Sequence, residues 1–273
     1  MSSSRALRGI VAIACAGAFG LGLTVPAAAA PTTDPSDDSS AELQRALRSG
    51  RPLLGWRIAL DPGHNGGNAD DPAAINQLVS DGRGDLKPCN TVGTSTTSGY
   101  AEHEFNFDVA QRLTAQLERL GATVVSTRED DDGVGPCVDV RGRFAEDTDA
   151  DLMVSIHANG SVDTSTEGFF VIVADPAISD SQGAPSLALA EDLIDALAGG
   201  GFTPSTAVDD ALSMRSDLAT LNFARRPAVL LELGEMRNPG DAAVMETAEG
   251  RQEYADAIAA GILEWTQDRK PQE

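Results

Sequence analysis

Trp56-Arg57-Ile58-Ala59-Leu60-Asp61-Pro62-Gly63-His64 is the stretch whose reading decides the fold. A short, mostly apolar run of this kind reads as a buried strand, and here it stops abruptly. Pro62 cannot donate a ladder hydrogen bond and Gly63 permits a sharp turn, so His64 is left at the carboxyl end of the strand. Open α/β sheets hold their ligands along that edge. His64 is then either a solvated loop histidine or the first ligand of a metal ion. Nothing inside the stretch decides between the two.

The same pattern recurs further along the chain. Leu152-Met153-Val154-Ser155-Ile156-His157 is a second apolar run closed by a histidine, followed by the small-residue turn Ala158-Asn159-Gly160. Residues 228–233 form a third such run, with Glu232 near its end. Between these runs lie helical periodicities. Phe105, Val109, Leu113, Leu117 and Leu120 share one face of a predicted helix that Gly121 terminates. Further helices are predicted over 41–47, 138–148, 186–197 and 242–266, the last interrupted at Gly250, and further strands over 122–126 and 168–174. The alternation predicts a single three-layer α/β domain with a mostly parallel, mixed sheet flanked by helices.

Residues 65–101 break the alternation. They are rich in Gly, Asn, Asp, Ser and Thr and lack strong periodicity, and connections of that length are functional or disordered. If Cys89 is bridged, this one is pinned and forms a structured rim beside the ligand edge.

The formal net charge of the 273 residues is −22, and removing residues 1–30, which hold two arginines and no acids, takes it to −24. Such a surface excludes binding to nucleic acid or to anionic membranes, which rests on neutralising phosphates with Lys and Arg. Residues 1–30 read as a secretion signal: Arg5 and Arg8, an uncharged apolar run over 10–25, then Ala27, Ala28, Ala29 and Ala30. The expected cut follows Ala29 or Ala27, because Pro31 disfavours a cut directly before it. A retained anchor is the alternative, but the run is short for a span. A lipidated Cys15 is another, though Ala12-Ile13-Ala14 is a poor context. The expected organisation is a signal over 1–30, a disordered leader and short helix over 31–53, a catalytic domain over 54–267 and a tail over 268–273. The protein is expected in the cell envelope or outside the cell, monomeric, and without stable membrane association once the signal is removed. Cleavage also removes Cys15 and leaves Cys89 and Cys137. In an exported chain these form a natural disulfide, worth roughly 4 kcal/mol by the chain-entropy model. Neither has a Cys or His nearby at metal-ligand spacing.

Three strand ends and one helix start can therefore bring His64, His157, Glu232 and the Glu102-His103-Glu104 segment to one edge. The chain has only three histidines, and two of them close strands in the same way. A catalytic zinc takes three ligands from His, Asp, Glu or Cys and keeps an open position. His64 and His157 supply two; the bland alternative for His157 is a satisfied buried histidine. The third comes from Glu102, His103 or Glu104. These neighbours point in different directions, and residue chemistry alone does not choose among them.

Taken together, Leu60-Asp61-Pro62-Gly63-His64, Glu102-x-x-x-Asn106, Thr127-Arg128-Glu129-Asp130, Ser155-Ile156-His157-Ala158-Asn159, Pro227-Ala228-Val229-Leu230-Leu231-Glu232 and Asn238 resemble the zinc-dependent N-acetylmuramoyl-L-alanine amidases of the amidase-3 family. Among these they are most similar to the single-domain exported members of mycobacteria and their actinobacterial relatives, which carry a similar cysteine-containing loop and a segment like Gly135-Pro136-Cys137. The resemblance spans about residues 54–267. It implies one Zn2+ held by His64, Glu102 and His157, with Glu232 as catalytic residue and His103 as an exposed flanking residue. It also implies peptidoglycan or muropeptides as substrate. Glu146 and Glu235 depart from the usual pattern or lie where relatives vary. Glu104 is expected to begin the helix, where a carboxylate is favourable.

The chemistry follows from the residue types. Zinc makes hydroxide available near neutral pH and stabilises an oxyanion. Glu232 takes the proton and passes it to the leaving amine. The alternative for Glu232 is a structural pair with Arg225 or Arg226, because a carboxylate in a buried strand is costly unless it works or is paired. Arg215 is a candidate for holding a substrate carboxylate or supporting the oxyanion, with a surface salt bridge as its alternative. Rival functions are a zinc carboxypeptidase or aminopeptidase, and a catalytically silent cell-wall binding protein.

Overall fold

The apolar runs become strands and the 3.6-residue periodicities become the helices that cover them. The protein is described here by a computed structural model that covers residues 43–48 and 50–271. The strands are β1 (Arg57–Pro62), β2 (Leu78–Ser80), β3 (Leu86–Pro88), β4 (Thr123–Ser126), β5 (Leu152–Asn159), β6 (Phe170–Ala174), β7 (Leu212–Arg215) and β8 (Ala228–Glu235). The helices are α1 (43–48), α2 (Pro72–Ile75), α3 (Glu102–Leu120), α4 (Val138–Asp147), α5 (Gly183–Gly199), α6 (Ala219–Asn222), α7 (Pro239–Met245) and α8 (Ala248–Thr266).

Six strands form one sheet in the order β4-β1-β5-β8-β6-β7. The first four in that order run parallel; β6 is antiparallel to β8, and β7 is parallel to β6. Helices α3, α5 and α8 pack on one face, and α4 and α6 on the other. With both faces covered, β1, β5 and β8 are buried along nearly their whole length, as central parallel strands must be. This is the expected three-layer α/β architecture. The carboxyl ends of β1, β5 and β8 lie side by side, and register sets His157 directly opposite Glu232.

Several local expectations are corrected. Helix α3 starts at Glu102, not Glu104, and ends at Gly121, whose φ of 105° supplies the left-handed cap. Residues 65–101 hold more structure than their composition suggests: a 3-10 turn, α2, and the β2–β3 hairpin. The predicted disulfide between Cys89 and Cys137 is present, with Cα atoms 4.4 Å apart, and it ties the residue after β3 to the start of α4. Helicity over 242–266 breaks at residues 246–247 instead of at Gly250, where Thr247 caps α8 by accepting from the Gly250 amide. Gly250 is required for close approach: a Cβ there would lie 2.2 Å from the Val244 carbonyl oxygen. The signal and most of the leader lie outside the described residues. Among the described residues, no helix is long and apolar enough to cross a membrane.

Candidate active site

The turn after β1 is built around a buried ion pair. Asp61 and Arg141 are 0% and 2% exposed, with Arg141 Nη1 donating to Asp61 Oδ1 at 2.7 Å. Ser155 and Thr127 each donate a hydroxyl to the same carboxylate at 2.7 Å. Burial pushes the Asp61 carboxyl up, but Arg141 and the two hydroxyls outweigh it and hold it below its ordinary value. Arg141 also donates to the carbonyls of Pro62 at 2.8 Å and His64 at 2.9 Å. Arg128 donates to Pro62 O at 2.9 Å and Gly63 O at 3.3 Å. These two guanidinium groups satisfy every carbonyl of the turn, and His64 emerges from it at φ 59°, a left-handed backbone that a non-glycine residue adopts only when its surroundings impose it.

The imidazole of His64 is fixed by Thr91, whose carbonyl oxygen accepts from Nδ1 at 2.9 Å. Nε2 therefore points the other way, at Glu102 Oε1, 3.1 Å off. His157 Nδ1 lies 3.0 Å from the same oxygen. Glu102, in the first turn of α3, has its second oxygen anchored by the Thr94 amide at 2.9 Å. Asn106, one helical turn on, donates to Gly63 O at 3.3 Å. Gly63 and Gly93 exist because the rings are so close. A Cβ at Gly63 would lie 2.1 Å from His157 Cε1, and one at Gly93 2.7 Å from Glu102 Oε2.

One atom each from His64, Glu102 and His157 lie within 4.8 Å of one another. Two nitrogens and a carboxylate oxygen converging in this way form a donor set that suits a single divalent metal. Burial lowers the affinity of His157 for a proton, whereas at His64 the Glu102 carboxylate outweighs burial and raises it. Burial pushes Glu102 up, but the two histidines outweigh it and keep it an anion.

Glu232 stands beside His157 on the neighbouring strand. Its Oε2 is buried with no hydrogen-bond partner among the described residues, and neither Arg225 nor Arg226 pairs with it. Burial, with Glu102 and Glu235 nearby, pushes its carboxyl well above the ordinary range. A carboxylate with one oxygen buried and unpartnered, facing a cavity, is the form a proton-transfer group takes. The cavity holds about 530 Å³ and reaches from the three candidate ligands past Glu232 to Lys87 and Arg215.

The structure thus brings His64, Glu102, His157 and Glu232 together. Arg215 lines the same cavity, but its guanidinium grips Asp217 with two bonds of 2.8 and 2.6 Å. His103 turns away, its Nδ1 paired with Asp131 at 2.7 Å. Asn238 is a helix cap, accepting from the amides of Gly240 and Asp241. Glu235 is buried against Asn159 and the Ser161 amide, where it ties the end of β8 to the loop after β5. The sequence reading missed Arg141 and Arg128 as supports of the His64 turn. One signal was available: Asp61 sits in an otherwise apolar strand, and a buried carboxylate there requires a cation.

Comparison with known proteins agrees with this geometry. The Amidase_3 family, described as N-acetylmuramoyl-L-alanine amidase, matches residues 58–264. The chain is 42% identical over 211 residues to N-acetylmuramoyl-L-alanine amidase Rv3717 of Mycobacterium tuberculosis, covering 77% of this chain and 86% of that protein. It superposes on the N-acetylmuramyl-L-alanine amidase Ami1 of Mycobacterium smegmatis with a TM-score of 0.75 at 42% identity, covering 78% of this chain and 97% of the other. The apo form of Ami1 from Mycobacterium abscessus gives the same score and identity, with 78% and 99% covered. The chain belongs to the Amidase_3 family of N-acetylmuramoyl-L-alanine amidases.

Proposed function

We propose that this enzyme hydrolyses the amide joining the lactyl group of N-acetylmuramic acid to L-alanine, in peptidoglycan or its fragments. In this reading zinc is held by His64, Glu102 and His157, and Glu232 is the general base. The observation that carries it is the unpartnered carboxylate oxygen of Glu232, set one strand away from His157 in the shared cavity. Zinc bound there supplies Lewis acidity toward the attacking water and the scissile carbonyl.

The rest is the work of the chain's own residues. His64 is held by Thr91 with Nε2 turned toward Glu102, and Glu102 stays anionic between the two rings. Glu232, whose affinity for a proton burial has raised, takes one from the attacking water and returns it to the departing alanine nitrogen. Arg215 lines the same cavity and in this reading meets the substrate. The catalytic domain corresponds to residues 54–267, exported behind a signal over 1–30 and acting as a monomer in the cell envelope.

Mass spectrometry of muropeptide digests tests this. The mature protein should release intact stem peptides and leave plain peptides of the same sequence uncut. Glu232→Ala should lower turnover by about 10²–10⁴-fold while zinc stays bound, and Glu102→Ala should lose the zinc as well. A mature protein that binds zinc yet frees no stem peptide would sink the proposal.

A further inference from the structure

We propose that Lys87 and Arg215 form a carboxylate-binding subsite for the stem peptide, on the leaving side of the scissile amide. The proposal rests on the amidase reading above and names which part of the substrate that cavity grips.

Charge distribution is the first observation. In a chain of net charge −22, the only acids among the described residues lining the cavity are Glu102 and Glu232, both at its chemical centre, whereas Lys87, Arg141, Arg215 and Arg237 also line it. Arg141 is committed to the His64 turn. Lys87 and Arg215 lie at the far end, and both converge on Asp217: Lys87 Nζ donates to its carbonyl at 2.6 Å, and Arg215 forks its carboxylate.

Position is the second. Because β6 and β7 run against β8, Arg215 is displaced from Glu232 both across the sheet and back along it. Two strand spacings and about four residues of rise put their Cα atoms roughly 16 Å apart. Cross-strand partners share a face, which sets Leu230 and Glu232 on the same side as Ser213 and Arg215. Glu232 and Arg215 therefore look into one cavity, near enough for the guanidinium to act on the carboxylate.

Chemistry then selects the occupant. The sugar side of the scissile bond offers an N-acetyl group and hydroxyls, and its lactyl carboxyl is already consumed in the amide. The peptide side carries free carboxylates. The fork that Arg215 presents to Asp217 is the geometry a substrate carboxylate needs. The Asp217 side chain is 63% exposed, so exchanging it for a ligand carboxylate forfeits little. Lys87 is held in place from both sides. The disulfide anchors Cys89 two residues on, and Arg83 Nε donates to Asn222 Oδ1 of α6 at 2.7 Å.

The test uses two synthetic N-acetylmuramoyl tripeptides that differ only in having the stem carboxylates free or amidated. Wild type should cleave the free form with a kcat/KM about tenfold higher, expressed in KM, the scale of one charge-assisted hydrogen bond. Lys87→Gln and Arg215→Gln should each shrink that ratio toward one, and Lys87→Arg should keep it. Inhibition of wild type by the two released peptides gives the same ratio without any variant. Equal cleavage of the two forms, or a ratio that survives both Gln variants, overturns the subsite and leaves the amidase standing. Cleavage of neither form overturns the amidase reading itself.

Discussion

The two ends of the cavity are built on opposite principles. At the β1 and β5 end, His64, Glu102 and His157 sit in a shell of buried donors, and Asp61 and Arg141 are essentially sealed from water. At the hairpin and β7 end, the ion pair of Arg215 and Asp217 is 40% and 63% exposed. Both ends contain a guanidinium and a carboxylate in good geometry, yet they answer different demands. The first must hold ring nitrogens in place, so its pairs are dry and breaking one is severe. The second, the proposed carboxylate subsite, has a pair that is wet and easily exchanged. Burial, more than the identity of the partners, separates a pair that positions from a pair that can be swapped.

The contrast is sharpest at Arg141. Arg141→Met leaves the Asp61 carboxylate buried without its cation, and the melting transition should lose about 3–5 kcal/mol. Acid should widen the gap. Asp61 is held low in the folded wild type, so its contribution is complete above the unfolded value of about 3.9 and disappears only as pH falls through the lower folded value. In the variant, burial acts unopposed by Arg141, and melting curves recorded against pH should collapse at a less acidic point.

Next in size is the hairpin end. Cys89→Ser removes the bridge to Cys137 and should cost about 2–4 kcal/mol in denaturant unfolding. At the buried end, Gly63→Ala drives a methyl into the His157 ring and should weaken metal binding and turnover about 10²-fold, read by metal competition and kcat/KM. The smallest effect belongs to Asp217→Asn, which should shift stability by no more than ~1 kcal/mol. A large loss there would erase the distinction between the two ends.

What the sequence made legible follows the same line. His64 and His157 could be placed because apolar strands end at strand-breaking residues, a local signal. Glu232 could be placed because a carboxylate in such a strand needs a reason. Glu102 could not be separated from His103 and Glu104 by chemistry alone; the resemblance chose it, and the structure turns His103 toward Asp131. Arg141 was invisible because its partner lies 80 residues away and helix α4 gives no sign of which face meets β1. The β2–β3 hairpin and β7 were missed because three or four residues carry too little periodicity to register. Gly250 read as a helix breaker because a glycine needed for contact between helices looks the same in one dimension.

The place of β8 in the sheet has a consequence for how the protein comes into being. Among the described strands it comes last in the chain, yet it lies in the interior, between β5 and β6. Until residue 235 has emerged, β5 and β6 are two unsatisfied edges with nothing between them, the state most open to wrong pairing. His157 also has no Glu232 beside it. His157 and the proposed base Glu232 therefore come side by side only when β8 slots into the middle of the sheet.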